Sequence, residues 1–210
     1  MLQPAPHDPA RRRLLWLGIP ALGAVGFLWS RRNVDPVALL PSSDSADEIS
    51  IVEFSAIGAR LGTTQVRKVV RSESDWFERL TPQQFYVTRN HQTDPPFSGT
   101  YDRMHEDGLF RCICCDNALF SSKSKFDSGT GWPSFWAPIA IENVRSEATP
   151  NLSRQAALEN GLEVLCKRCD AHLGHIFNDG PAPTHLRYCI NESALRFVAI
   201  LNKDARVIIR

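Results

Sequence analysis

The sequence predicts a mainly β domain with small helices near its N-terminal edge, and three observations carry that expectation. Fourteen Pro and twelve Gly scatter turn positions along the chain, which suits many short strands better than a helical bundle. From Leu109 onward the apolar residues come in short runs broken by Gly, Pro, Asn or Asp; runs of about 3–7 residues have the length of strands. Upstream, Ser72 and Thr81 each stand just before a short apolar segment, where a helix cap belongs.

The chain has 210 residues, 43% hydrophobic and 22% charged. That describes a globular protein long enough to bury a core, with room for a tail. The formal charge of +1 provides no basic field for nucleic acid.

The elements follow in order. Residues 1–32 read as a targeting segment. Arg11-Arg12-Arg13-Leu14-Leu15 opens an uncharged apolar run at 14–29, shorter than the roughly 20 residues that span a bilayer. A basic start and a short apolar region read as an export signal, here of the twin-arginine kind. Arg31-Arg32 follow with no Ala-x-Ala between, so an uncleaved membrane anchor at 14–29 stays open. The expectation is an exported, periplasmic protein whose N-terminal segment contacts the membrane during export.

Residues 33–73 read as a linker and N-terminal extension, on Pro36, Pro41 and the polar run at 42–48, with a strand at 66–70. Ser72 begins a capped short helix carrying Trp76, Phe77 and Leu80, and Thr81-Pro82 another before Phe85. Strands are expected at Phe110, Leu119-Phe120, Phe135-Trp136, Ile139-Ala140-Ile141, 162–165 and 195–201. A turn or two of helix at 153–160 ends at Gly161.

Two Cys-x-x-Cys pairs, Cys112/Cys115 and Cys166/Cys169, account for four of six cysteines. Both stand beside turn residues, and four thiolates make the tetrahedral set of a structural zinc, a better reading than two disulfides or a redox pair. Cys114 falls between the first two ligands and reads as a small semi-buried residue.

Cys189 has no partner in sequence. It is either a buried structural cysteine or a nucleophile activated by Arg187, which shares its strand face together with Asn191. His172 and His175 are three residues apart, with Gly174 permitting a tight turn between them. Metal ligation is one reading of such a pair. Proton donation to a leaving oxygen is the other, and four thiolates already complete a zinc shell. Trp132, on the Gly129-Thr130-Gly131 turn, is a candidate pocket wall.

Three stretches, at 126–135 (FDSGTGWPSF), 166–181 (CKRCDAHLGHIFNDGP) and 187–191 (RYCIN), together resemble peptide methionine-R-sulfoxide reductases of the B type. The resemblance runs over residues 74–202 and leaves 203–210 as a C-terminal tail. It implies two packed antiparallel sheets of the Mss4-like, or β-tent, kind. It implies that Cys189 attacks the sulfoxide sulfur and becomes a sulfenic acid, and that His172, His175 and Asn191 bind and protonate the oxygen. Trp132, with Phe177 and Arg187, would form the substrate side, and Cys112, Cys115, Cys166 and Cys169 would hold one structural Zn2+. The substrates implied are oxidised proteins or peptides carrying methionine sulfoxide, and the reductant a thioredoxin-like thiol.

One departure matters. Many members of that family carry a resolving cysteine at the position of Thr130. Without it, either an external thiol reduces the Cys189 sulfenic acid directly, which is the expectation, or Cys114 resolves it. Two rival readings remain at this level: a zinc-pinned binding module with an inert Cys189, and a thiol–disulfide oxidoreductase using a Cys-x-x-Cys.

Overall fold

The computed structural model describes residues 48–147 and 153–200. The targeting segment read at 1–32, most of the polar linker and the C-terminal tail lie outside the described residues. Among the described residues, no helix is long and apolar enough to cross a membrane.

Both expected N-terminal helices form, and for the expected reason. Helix α1 (Glu73–Arg79) and helix α2 (Pro82–Asn90) each start at a reciprocal capping box. The Ser72 hydroxyl accepts the Asp75 amide and the Asp75 carboxylate accepts that of Ser72, while Thr81 and Gln84 repeat the arrangement. Helix α3 (Arg154–Asn160) ends at Gly161, whose φ of 91° suits glycine.

The strands are β1 (Glu48–Phe54), β2 (Arg60–Arg67), β3 (Gly108–Cys112), β4 (Ala118–Ser121), β5 (Lys125–Phe126), β6 (Ser134–Phe135), β7 (Val144–Glu147), β8 (Leu162–Cys166), β9 (His172–Phe177), β10 (Arg187–Ile190) and β11 (Leu195–Ala199). They form a six-stranded sheet in the order β5-β6-β10-β9-β8-β7, a three-stranded sheet β11-β3-β4 and the two-stranded hairpin β1-β2. All pairings are antiparallel. Aromatic side chains join the two sheets. The Phe120 and Phe135 rings stack with centroids 4.5 Å apart, and Phe110 meets Phe135 edge-on at 5.0 Å; all three are fully buried.

Three expectations are corrected. The stretch read as linker and extension carries the β1–β2 hairpin, with only its end at 66–67 matching the expected strand. The polar run just before it masks its start, and a buried amide holds it: Asn143 accepts the Val52 amide at 2.7 Å and donates to the Val52 and Ala118 carbonyls. Residues 139–141 do not form a strand. They lead into a 3-10 turn at Ile141–Asn143 that delivers Asn143 inward and leaves Ile141 66% exposed. Finally, His172-Leu-Gly-His175 is no turn but the body of β9.

Candidate active site

The two Cys-x-x-Cys pairs occupy matching knuckles. One joins β3 to β4 and the other joins β8 to β9. In each, the residue after the second cysteine turns left-handed (Asp116 φ 63°, Asp170 φ 54°) and returns its amide to the first cysteine's carbonyl, at 2.9 and 3.0 Å. The four sulfurs lie within 4.8 Å of one another. Cys112 and Cys169 are 3.7 Å apart, and Cys115 and Cys166 are 3.6 Å apart. A disulfide needs about 2.05 Å. Four thiolates about 2.3 Å from one ion stand about 3.8 Å from each other. The set therefore fits a tetrahedral metal and can hold one. The Asn117 amide reaches Cys166 Sγ at 3.7 Å, and Arg89 of α2 donates both terminal nitrogens to the Cys169 carbonyl, so this centre also anchors the helical edge.

Cys189 sits elsewhere, on β10 in the middle of the six-stranded sheet. It faces Ser134 of β6 on one side and His175 of β9 on the other. A cavity of about 150 Å³ opens over it, lined by Thr93, Trp132, Gly174, His175, Phe177, Cys189 and Asn191. The wall is predominantly apolar with a few polar groups, the usual make-up of a small-molecule site. Gly174 makes the close packing possible. A Cβ there would stand 2.1 Å from the Cys189 carbonyl oxygen.

Five of the seven predicted catalytic and substrate-side residues therefore meet in one cavity. The other two stand behind it. Arg187 forks onto Asp179 with bonds of 2.8 and 2.9 Å, and its guanidinium lies 4.3 Å from the centre of the Phe177 ring. It thus holds the Phe177 wall while its charge faces the Cys189 sulfur. Burial pushes the Cys189 thiol up, and the Arg187 charge with hydrogen bonds from Thr130 and Arg187 works against that rise.

His172 is 1% exposed and does not line the cavity. Its Nδ1 meets Glu163 Oε1 at 2.6 Å, and His91 Nδ1 meets the same oxygen at 2.6 Å. His172 and His175 sit three apart on a strand, which ordinarily puts them on opposite faces. A bulge in the β8–β9 pairing at Val164/Leu165 re-aims the strand locally, and the two rings lie 5.3 Å apart. Burial lowers the proton affinity of both imidazoles, and in His172 the Glu163 carboxylate opposes this. His91, Glu163 and His172 also lie close enough together to hold a metal ion, although two short hydrogen bonds already use their converging atoms.

Burial opposes the charged form of Glu163, yet the hydrogen bonds from His172 and His91 hold its carboxyl below the ordinary range. A depressed carboxyl pKa adds stability that is present above its unfolded value, about 4.3, and is lost as pH falls through the folded value. Glu163→Ala should cost about 1–3 kcal/mol, because it strands the buried His172 nitrogen. It should also flatten the acid limb of the stability profile. Urea unfolding of the variant between pH 3 and 6 checks both.

Sequence reasoning missed Asp94. It is 4% exposed, accepts Gln83, the Ser193 amide and the Ser193 hydroxyl on its carboxylate, and gives its own amide to Asn191 Oδ1 at 2.9 Å. Its carbonyl accepts Trp132 Nε1 at 2.9 Å. One residue thereby fixes both the amide and the aromatic wall of the cavity. Thr93, Glu163 and Asp179 were missed too. No motif marks them: Glu163 meets His172 and Asp179 meets Arg187 only through the pairing of neighbouring strands and the loop between them.

Known proteins match this arrangement. The SelR domain model covers residues 80–199. The peptide methionine sulfoxide reductase MsrB of Hahella chejuensis is 47% identical over 130 residues, 62% of this chain and 90% of the relative. That of Thioalkalivibrio sulfidiphilus is 52% identical over 124 residues, 58% of this chain and 85% of the relative. The human mitochondrial methionine-R-sulfoxide reductase B2 is 49% identical over 131 residues, 60% and 70% respectively. The family match at 80–199 takes in the cavity and the four-cysteine cluster, and this chain belongs to the SelR family, that of the B-type peptide methionine sulfoxide reductases.

Proposed function

We propose that this enzyme reduces the R-sulfoxide of peptide- or protein-bound methionine to methionine, with Cys189 as the attacking group. The observation that carries the reading is the small apolar cavity that sets Cys189, His175 and Asn191 against Trp132 and Phe177. A methyl sulfoxide matches it. The S-methyl group takes the aromatic wall, and the sulfur meets the thiolate. The oxygen, a poor leaving group until protonated, faces the imidazole and the amide. A chiral slot of this kind accepts one sulfoxide epimer.

The steps balance. The Cys189 thiolate attacks the sulfoxide sulfur and forms an S–S bond, while the oxygen takes two protons and leaves as water. A water oxygen then attacks the Cys189 sulfur, the S–S bond breaks, methionine leaves with the bonding pair, one proton is returned, and Cys189 becomes a sulfenic acid. Two external thiols then return it to the thiol, releasing water and their own disulfide. His175 is the proton donor in this scheme. His172, held by Glu163, positions it from behind, and Arg187 supports the thiolate and the Phe177 wall. The rate of turnover on resolved R and S sulfoxides of a blocked methionine tests the reading, and equal rates on both would sink it.

Direct reduction by a thioredoxin-like thiol is favoured by the placement of the other cysteines. Four converge on the metal centre, and Cys114 donates to Thr88 on α2 at 3.4 Å, away from the residues that line the cavity. One turnover without reductant should therefore leave Cys189 as a sulfenic acid, trapped by dimedone, with no internal disulfide by mass spectrometry. Thr130→Cys should convert that product into a disulfide between the introduced thiol and Cys189, since the Thr130 side chain already touches the sulfur. Zinc is the metal proposed for the four thiolates, as one structural ion. Export to the periplasm, or anchoring there, rests on Arg11-Arg12-Arg13 and the apolar run at 14–29. Cell fractionation with and without residues 1–32 tests it.

A further inference from the structure

Three hydroxyls form a chain that ends on Cys189. Ser134 is fully buried and is the direct cross-strand partner of Cys189. Its hydroxyl lies 3.2 Å from the Trp132 carbonyl, to which it can donate, and 2.8 Å from Ser128 Oγ. Ser128 Oγ lies 2.8 Å from Thr130 Oγ1, and the Thr130 side chain stands beside the Cys189 sulfur, toward which its hydroxyl can donate. The turn that carries Thr130 is built for this. Gly129 and Gly131 flank it at φ 69° and 86°, Asp127 accepts the Gly129 amide, and Gly131 packs against Phe97 with no room for a Cβ.

Counting protons shows what such a chain does. Each hydroxyl has one proton to donate, the carbonyl has none, and there are four links from sulfur to carbonyl. With Cys189 as a thiol there are four protons, and every link is filled when all point away from the sulfur. With Cys189 as a thiolate there are three. The chain then fills every link but one by reversing: Thr130 donates to sulfur, Ser128 to Thr130, and Ser134 to Ser128. The link given up is the one between two neutral groups, Ser134 and the Trp132 carbonyl, at 3.2 Å. The hydroxyl chain therefore adapts to either charge state of the sulfur without moving a heavy atom, and a hydrogen bond to the ionised partner is the stronger kind.

We propose that Thr130 is a further catalytic residue of this enzyme, donating to the Cys189 thiolate through the reversible Ser134–Ser128–Thr130 chain. This rests on the reading of Cys189 as the nucleophile. At a position where a resolving thiol would end the cycle, the hydroxyl serves its beginning. The charged and titratable groups that face the sulfur are Arg187 on its own strand, Asp179 behind Arg187, and His175 on β9. Thr130 adds an uncharged donor from a fourth direction, the turn before β6.

The test reads the thiol itself. The pH profile of Cys189 alkylation by iodoacetamide is measured by mass spectrometry in wild type, Thr130→Val, Thr130→Ser and Ser128→Ala. Valine keeps the shape and removes the donor, so its midpoint should move up by roughly one unit, with kcat/KM at pH 7 down roughly tenfold. Thr130→Ser should return to the wild-type profile. Ser128→Ala should shift in the same direction by less, because Thr130 keeps its proton but loses its support. A Thr130→Val midpoint equal to wild type would overturn the proposal. If that variant does not fold, an unshifted Ser128→Ala profile overturns it instead. Failure of the underlying reading looks different: Cys189→Ser would keep its turnover, whatever the alkylation profiles show.

Discussion

Cys189→Ser should lose methionine R-sulfoxide turnover by about 10³-fold or more, while its melting temperature stays close to that of wild type. The sulfur is what the cavity converges on, and a serine hydroxyl there lacks a base to ionise it and a sulfur's capacity to accept oxygen. The side chain is only half-buried and its bonds reach hydroxyl and guanidinium groups, so oxygen can replace sulfur without leaving a buried group stranded. Turnover on a blocked methionine R-sulfoxide, read beside thermal unfolding, checks this. The pairing of the two measurements separates the enzyme from a binding module of the same fold, in which the variant would behave as wild type. A thiol–disulfide exchanger working through a Cys-x-x-Cys would likewise keep its activity.

The second large effect falls on the four-cysteine cluster proposed to hold zinc and has the opposite signature. Cys166→Ser should remove fold and activity together. Cys166 is fully buried, and the four thiolates tie the β3–β4 hairpin of one sheet to the β8–β9 hairpin of the other. Structural zinc contributes about 10–16 kcal/mol in small zinc domains, as much as the whole stability of an ordinary domain. Binding energy in such a site is folding energy, so the loss of one thiolate reaches both sheets. The variant should be recovered without metal and should unfold without a cooperative transition. Metal content by mass spectrometry and thermal unfolding by circular dichroism measure this. A folded Cys166→Ser protein with full activity would refute a structural role for the centre. Slow exposure of wild type to a strong chelator should reproduce the loss without any mutation.

These two effects draw on different kinds of information. What the sequence determined by itself is what depends on near neighbours. The capping boxes at Ser72 and Thr81 are set by residues three apart, and both helices begin where those residues place them. Each Cys-x-x-Cys knuckle closes on itself through an Asp in a left-handed turn, so the ligand set was legible before its partner was located. The Trp132 turn and the 187–191 stretch likewise carry their chemistry in a few adjacent residues.

The tertiary structure decided everything that depends on register. The spacing of His172 and His175 suggested two equal imidazoles. A bulge in the β8–β9 pairing instead buried one against Glu163 and left the other in the cavity. Asp94 reads as an ordinary loop carboxylate until Ser193, Asn191 and Trp132 arrive around it from distant parts of the chain. The β1–β2 hairpin follows directly on the polar run at 42–48, and distant residues hold it, Asn143 at Val52 and Arg111 at the Phe54 carbonyl. Thr130 shows the division most clearly. In sequence it is the absence of a cysteine. Only the cross-strand pairing of Ser134 with Cys189 turns it into the last member of a hydroxyl chain. Local hydrogen bonds are written in sequence spacing, whereas the partners of a buried polar group are chosen by how strands align, which no short stretch of sequence contains.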